Sequence, residues 1–127
     1  MARAVLDASA LLALLNSEPG SRIVEENLED AAMSAVNLSE VVSKLSERGM
    51  PADAVRDALE SLGLAVHPFD TEMAYAAGTL RAATRRLGLS LGDRACLALG
   101  LALGAPILTT DTTWKKLKIG AKVRAIR

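Results

Sequence analysis

One stretch, LGDRACLALGLALGAPILTTD from Leu91 to Asp111, constrains the fold more than any other part of the chain. Between its first helical turn and its last residue it carries no charge, so it has to lie in the core. The spacing of its apolar residues predicts a buried helix from about Ser90 to Leu103. A Gly-containing turn then leads to a strand predicted from Pro106 to Thr109. Because Asp93 and Asp111 stand at the two ends of this apolar unit, we expect both carboxylates close to the core.

The rest of the chain alternates short apolar strands with amphipathic helices. Further strands are predicted at residues 3–6, 31–34 and 64–69 and near Val123. The helices repeat their apolar residues at three- and four-residue spacing, as the third helix does at Leu38, Val41, Val42 and Leu45. A fifth helix, capped by Thr71 or Asp70 and carrying Arg85 and Arg86 on its polar face, is predicted before Gly88, which separates it from the apolar stretch. This order predicts an α/β fold with a mainly parallel sheet of four to five short strands, in a single domain over residues 1–127.

Composition narrows the possible functions. Only three of the 127 residues are aromatic, which argues against a protein that stacks several bases on its rings. The formal net charge is zero, so nothing global indicates nucleic acid, yet six cations and no acid follow Asp111. That basic end is either a solvated edge or a surface that attracts phosphate.

Cellular location is predicted from what the sequence does not contain. Cys96 is the single cysteine, which rules out an intrachain disulfide and suits a buried thiol in a reducing compartment. The chain has no signal-peptide pattern, and its longest uncharged run is too short to cross a bilayer comfortably. We therefore expect a cytoplasmic protein.

Four acids are candidates for a shared site. Right-handed crossovers place the carboxyl ends of parallel strands along one edge of a sheet. Asp7 ends the first strand, and Asp111 follows the strand predicted from Pro106 to Thr109. Both are therefore expected at that edge. Glu40 and Asp93 fall in the first turns of helices with apolar neighbours, where helix N-termini favour anions.

Each acid also has a purely structural interpretation. Asp7 is placed to cap the following helix, and Asp111 is placed to start the turn in TTDTT. Glu40 comes three residues after Asn37, and Asp93 three after Ser90, as in capping boxes. Taken together, four carboxylates in one cleft would repel one another unless a cation joined them. Their hard oxygen atoms select Mg²⁺ or Mn²⁺, and no Cys/His cluster offers a zinc site.

Three segments carry a family resemblance over essentially the whole chain: VLDASALLALL, SAVNLSEVVSKL and LSLGDRACLALGLALGAPILTTDTTW. They resemble the PIN domain, and most closely the toxin ribonucleases of type II VapBC toxin–antitoxin systems. The resemblance implies a three-layer α/β/α fold. It also implies a catalytic, metal-binding quartet formed by Asp7, Glu40, Asp93 and Asp111. Ser9 and Thr109 match the hydroxyl residues that orient the carboxylates, and the fourth acid of such sites sometimes reaches the metal only through water.

The activity that this resemblance implies is Mg²⁺- or Mn²⁺-dependent endonucleolytic cleavage of RNA, leaving a 5′-phosphate and a 3′-hydroxyl. Cations at the rim of the acidic cleft are then candidates for holding RNA, although each is equally well explained as a solvated side chain: Arg85, Arg86, Arg94, Lys115 and Lys116. Arg94 is also placed to pair with an acid.

The partners implied by the family are a second copy of the chain, in a homodimer, and a small antitoxin protein. The leucines of LLALLNSE together with Val41, Val42 and Leu45 are candidates for an apolar groove that the antitoxin covers. The alternative is that these side chains pack into the chain's own core. No membrane partner is expected.

Other functions remain open at this point. One is a PIN nuclease that matures or degrades RNA without an antitoxin, and another is a PIN-like module that binds without cutting. A phosphoacceptor receiver domain would need a Lys at the end of a late strand, and a dehalogenase-type phosphatase would need Asp-x-Asp after the first strand. The chain has Thr-Thr-Asp and Asp-Ala-Ser at these places. His67 is expected at a strand end and Trp114 in the core.

Overall fold

Short apolar runs form five strands in the computed structural model, which describes residues 2–127. These strands are β1 (Ala4–Leu6), β2 (Ala31–Ser34), β3 (Ala65–His67), β4 (Ile107–Thr109) and β5 (Val123–Ala125). They make one sheet in the order β3-β2-β1-β4-β5, and all four neighbouring pairs are parallel. The predicted α/β class is confirmed, and β1 lies at the centre of the sheet.

Helices cover both faces of this sheet. They are α1 (Ala8–Leu15), α2 (Ser21–Glu26), α3 (Ala35–Glu47), α4 (Ala52–Glu60), α5 (Thr71–Thr79), α6 (Arg81–Thr84) and α7 (Leu91–Leu103), with 3-10 helices at Arg85–Leu87 and Thr112–Lys116. Successive strand residues point to opposite faces. Leu6 therefore packs with Leu11 of α1 in one buried cluster, whereas Val5 packs with Leu97 of α7 in the other. One cluster lies on each face of the sheet, so the sheet and the helices on its two faces form the three layers of an α/β/α sandwich.

The stretch that dominates the sequence forms α7 and β4. Ser90 caps the start of α7, and Gly104 ends it in the left-handed conformation with φ of 62°. Every residue from Ala95 to Gly100 is buried. A Cβ atom at Gly100 would overlap the side chain of Ile107, so α7 and β4 approach each other closely at this glycine. This close approach holds the second half of α7 against the sheet.

Two helix predictions were wrong in detail. The fifth predicted helix is divided into α5, α6 and a 3-10 turn, and near the break the Thr84 hydroxyl donates to the carbonyl of Leu80 at 2.9 Å. The third helix begins at Ala35 because Ser34, at the end of β2, caps it by accepting from the Val36 N–H. Val42, which was predicted either to line an apolar groove or to pack into the core, is 38% exposed.

Trp114 is buried, as predicted, and it packs in the same cluster as Leu97. His67 is the last residue of β3, the strand at one edge of the sheet. None of the helices formed by residues 2–127 combines the length and the hydropathy needed to cross a bilayer.

Candidate active site

The carboxylate of Asp7 lies at the carboxyl end of the central strand and is only 6% exposed. Its Oδ1 accepts from the Ser9 hydroxyl at 2.7 Å and from the backbone N–H of Ala10 at 2.8 Å. Its Oδ2 accepts from the Thr109 hydroxyl at 2.6 Å. Asp7 therefore caps α1, as its structural interpretation predicted, and at the same time is held rigidly at the sheet edge.

Two hydroxyl groups connect this acid to the end of β4. The Thr109 hydroxyl also accepts from the backbone N–H of Asp111 at 3.1 Å. The Ser9 hydroxyl likewise accepts from the backbone N–H of Thr110 at 3.0 Å. Both side chains therefore use donor and acceptor together, and they join β1 to β4 through Asp7. Ser9 and Thr109, the two hydroxyl residues singled out in the sequence, thus both donate to the Asp7 carboxylate.

The environment of Asp7 shifts the pKa of its carboxyl upwards, towards the neutral form. Burial raises the pKa of this carboxyl above its usual value, and the negative charge of Asp93 raises it further, although the three hydrogen bonds act in the opposite direction. Burial also raises the pKa of the Cys96 thiol well above its ordinary value, with smaller contributions from the charges of Asp7, Asp93 and Glu40. The charges of three of the four predicted acids thus reach one buried residue of α7.

Asp93 lies in the first turn of α7 and forms a complete capping box. Its Oδ2 accepts from the backbone N–H of Ser90 at 2.9 Å, and its own N–H donates to the Ser90 hydroxyl at 3.2 Å. The side chain is half-buried. The box uses one carboxylate oxygen and leaves the side chain at the helix N-terminus, where a negative charge is stabilised.

Glu40 is held by a contact that the capping-box prediction misassigned. Asn37 lies inside α3, so it does not cap the helix. Instead its Nδ2 donates to Oε1 of Glu40 at 2.8 Å and to the carbonyl of Gly92 at 3.0 Å. A Cβ atom at Gly92 would be 2.5 Å from Oε2 of Glu40. The Glu40 carboxylate therefore lies directly on the first turn of α7, next to Asp93.

Asp111 is exposed and is engaged in its own turn. Its Oδ1 accepts from the backbone N–H of Thr113 at 2.9 Å and from the hydroxyl of Thr113 at 2.6 Å. This arrangement caps the second 3-10 helix, as the structural interpretation of the TTDTT motif predicted. Asp111 is linked to Asp7 through Thr109: its backbone N–H donates to the Thr109 hydroxyl, which itself donates to Asp7.

Within residues 2–127, no three Asp, Glu, His or Cys side chains form a ready-made metal cluster as they stand. Each of the four carboxylates accepts a hydrogen bond from a neighbouring residue of its own segment. Their chemistry nevertheless fits a hard divalent cation: all the candidate ligand atoms are carboxylate oxygens, and three of the acids share one electrostatic neighbourhood.

The predicted RNA-binding cations occupy two kinds of position. Arg94 is half-buried, and its Nη1 donates to the carbonyl of Ala77 at 3.1 Å, so it ties α7 to α5 and does not pair with an acid. The other four candidates are exposed and lie on the two 3-10 helices, namely Arg85, Arg86, Lys115 and Lys116. Their contact with RNA stays a prediction.

A groove of about 540 Å³ lies between α3 and α4. Its apolar lining includes Leu38, Val42, Val55 and Leu59, with Arg56 among its polar residues. The groove predicted from the sequence was only partly right, because Val41 and Leu45 face the core and the leucines of α1 pack against that core. Of the three α3 residues that were predicted to line it, Val42 does so.

Comparison with known proteins places this architecture in a family. The PIN domain model matches residues 4–120. Ribonuclease VapC42 of Mycobacterium tuberculosis is 32% identical over 114 residues, which cover 82% of this chain and 87% of the relative. DNA-bound VapBC from Salmonella typhimurium aligns over the whole of both chains with a TM-score of 0.78 at 18% identity. A toxin–antitoxin complex from Klebsiella pneumoniae covers 98% of each chain with a TM-score of 0.73, also at 18% identity. The chain belongs to the PIN-domain family and, within it, to the VapC-like proteins.

Proposed function

We propose that the protein is a Mg²⁺- or Mn²⁺-dependent endoribonuclease that acts in the cytoplasm as the toxin of a type II toxin–antitoxin pair. The observation that carries the proposal is the buried Asp7 carboxylate, held by three donors and placed within the field of Asp93. A carboxyl group whose neutral form is favoured by burial and by a second acid gains most from a bound cation. The names of the VapC relatives, which describe ribonucleases, support RNA as the substrate.

Asp7, Asp93 and Glu40 are the side chains that would hold the ion, with Asp111 reaching it directly or through water. A bound divalent cation would lower the pKa of a coordinated water and neutralise charge on the scissile phosphate. Ser9 and Thr109 keep the Asp7 oxygens in a fixed orientation by hydrogen bonding. The attack of water would leave a 5′-phosphate and a 3′-hydroxyl.

Cleavage of a structured RNA by the purified protein tests this proposal. Wild type is expected to cut with Mg²⁺ or Mn²⁺ and to stop when EDTA is added. Asp7→Asn and Asp93→Asn are expected to reduce cutting to background, whereas Asp57→Asn, at an exposed acid of α4, should cut like wild type. Equal cutting by Asp7→Asn and wild type would show that the site is elsewhere.

The groove between α3 and α4 is the proposed seat of the antitoxin. It is apolar, and an amphipathic helix fits a groove of this kind. Solved structures of the same fold include a complex described as toxin–antitoxin. A homodimer is a further part of the proposal, as the resemblance to the family implies.

Two exposed valines provide a matched test of the groove. Val42 lines it and is 38% exposed, and Val66 lies away from it on β3 and is 42% exposed. We expect Val42→Glu to remain folded and active but to escape inhibition by the antitoxin encoded next to it, while Val66→Glu remains inhibited. Growth arrest on induced expression, relieved by the antitoxin, separates a toxin from a PIN nuclease that processes RNA without one. A protein that binds RNA but cuts none would support the non-catalytic alternative.

A further inference from the structure

Asn37 is a buried polar residue that the proposed chemistry does not yet use. Its side chain is 1% exposed, and its Nδ2 donates both to Oε1 of Glu40 and to the carbonyl of Gly92. Its Oδ1 is buried and has no hydrogen-bond partner among residues 2–127. The orientation of the amide is unambiguous: if its oxygen and nitrogen were exchanged, the amide oxygen would face the Glu40 carboxylate and the Gly92 carbonyl, and neither of them can donate.

This arrangement does little for the fold. The Gly92 carbonyl belongs to the first turn of α7, so the helix itself supplies it with a backbone donor four residues later. Glu40 is exposed, and water can solvate its carboxylate. Neither acceptor depends on Asn37, and the unpaired Oδ1 is unfavourable in the core. A residue retained only for stability would be expected to satisfy its own polar atoms.

We infer that Asn37 is a positioning residue for the metal site. Its two hydrogen bonds hold the Glu40 carboxylate against the first turn of α7, one residue before Asp93, and so fix the separation of two acids on different helices. Gly92 makes the contact possible, because a side chain there would meet the Glu40 carboxylate. The inference rests on the proposed function, in which Glu40 and Asp93 hold one cation.

Mn²⁺ binding measured without RNA tests the inference. Asn37→Leu has a similar volume and removes both the donor and the unpaired oxygen. We expect the Mn²⁺ dissociation constant, from calorimetry or from the free-ion EPR signal, to rise roughly tenfold, as when an outer-shell partner of a metal ligand is lost. The Tm without metal is expected to stay within about 4 °C of wild type or to rise. Asn27→Leu is the matched control, because the Asn27 Nδ2 donates to the carbonyl of Ile23 away from the site.

A second background shows whether Asn37 acts through Glu40. In Glu40→Ala, adding Asn37→Leu should not weaken Mn²⁺ binding further. A folded Asn37→Leu with wild-type affinity, or an additional loss in Glu40→Ala, would overturn the inference. If Asn37→Leu does not fold, Asn37→Ala replaces it under the same expectations, and failure of both to fold would show that Asn37 is structural. If wild type binds no Mn²⁺, the proposed function fails as well, whereas normal binding in both wild type and variant refutes the positioning role alone.

Discussion

The bond between Thr109 and Asp7 can be tested by replacing Thr109 with Val, which has nearly the same shape and no hydroxyl. Thr109 is fully buried, and its hydroxyl is the only donor to Oδ2 of Asp7 among the hydrogen bonds of residues 2–127. Since one partner is removed and the other stays, the substitution leaves a buried carboxylate oxygen unpaired. It also removes the acceptor of the Asp111 N–H.

The expected cost follows from the charge on the acceptor. Hydrogen bonds to charged groups contribute about 1.5–3 kcal/mol, and the near-complete burial of Asp7 gives no reason to discount this for solvent. At about 4 °C per kcal/mol for a chain of this size, the Tm is expected to fall by roughly 6–12 °C at pH 7. The loss should be smaller at low pH, where Asp7 is protonated and the bond joins two neutral groups.

Urea unfolding of Thr109→Val at pH 7 and at low pH measures both effects. Thr109→Ser keeps the hydroxyl and should recover part of the stability, while Thr110→Val alters the neighbouring, partly exposed threonine and should change it by less than about 0.5 kcal/mol. A loss below about 0.5 kcal/mol for Thr109→Val, or a loss that does not depend on pH, would refute the charge-assisted bond.

Three further predictions concern the same core. Because the pKa of Asp7 is raised in the folded protein, its carboxyl favours folding at low pH, and this contribution is lost as the pH rises through the folded-state pKa. Asp7→Asn should therefore unfold at a higher urea concentration than wild type at pH 7. The difference should disappear below the ordinary pKa of 3.8. Gly100→Ala should lower the free energy of unfolding by about 1–3 kcal/mol, because the new Cβ atom meets the side chain of Ile107. Gly78→Ala in α5 has open space around it and should raise the free energy of unfolding by up to about 1 kcal/mol. Thermal denaturation of both variants checks this. Cys96 should be unreactive towards a thiol reagent such as DTNB in the native protein and fully reactive in denaturant, because burial and three nearby acids oppose its thiolate; fast labelling of native protein would contradict this.

The sequence allowed prediction of the parts of the fold that local patterns determine. The uncharged stretch predicted α7 and β4 within about one residue, because its apolar spacing, its Ser cap and its terminal glycine all agree. The edge shared by Asp7 and Asp111 followed from parallel topology, which requires only that β1 and β4 are neighbours, as they are.

Predictions failed where tertiary contacts choose between local alternatives. The segment SAVNLSE offers both Ser34 and Asn37 as caps, and the end of β2 decides in favour of Ser34. Asn37 is then free to bridge α3 and α7, a contact between residues 55 positions apart that no local pattern reveals. Periodicity alone left Val42 open to the core or to a groove, and it lies at the groove, since α4 leaves that side of α3 partly uncovered.

The structural and chemical interpretations of the four acids turn out to be compatible. Asp7 and Asp111 cap the helices that follow them, Asp93 completes a capping box, and Glu40 is bonded to its own helix. An N-terminal cap contributes about 1 kcal/mol of stability, and it also fixes the carboxylate at a helix N-terminus at the sheet edge. The capping bonds therefore hold the four side chains in place without a cation, although burial and the charge of Asp93 oppose the charge of Asp7. Binding of a cation would then draw on carboxylates that these bonds already hold, with Asn37 keeping Glu40 against the first turn of α7 and three donors fixing Asp7.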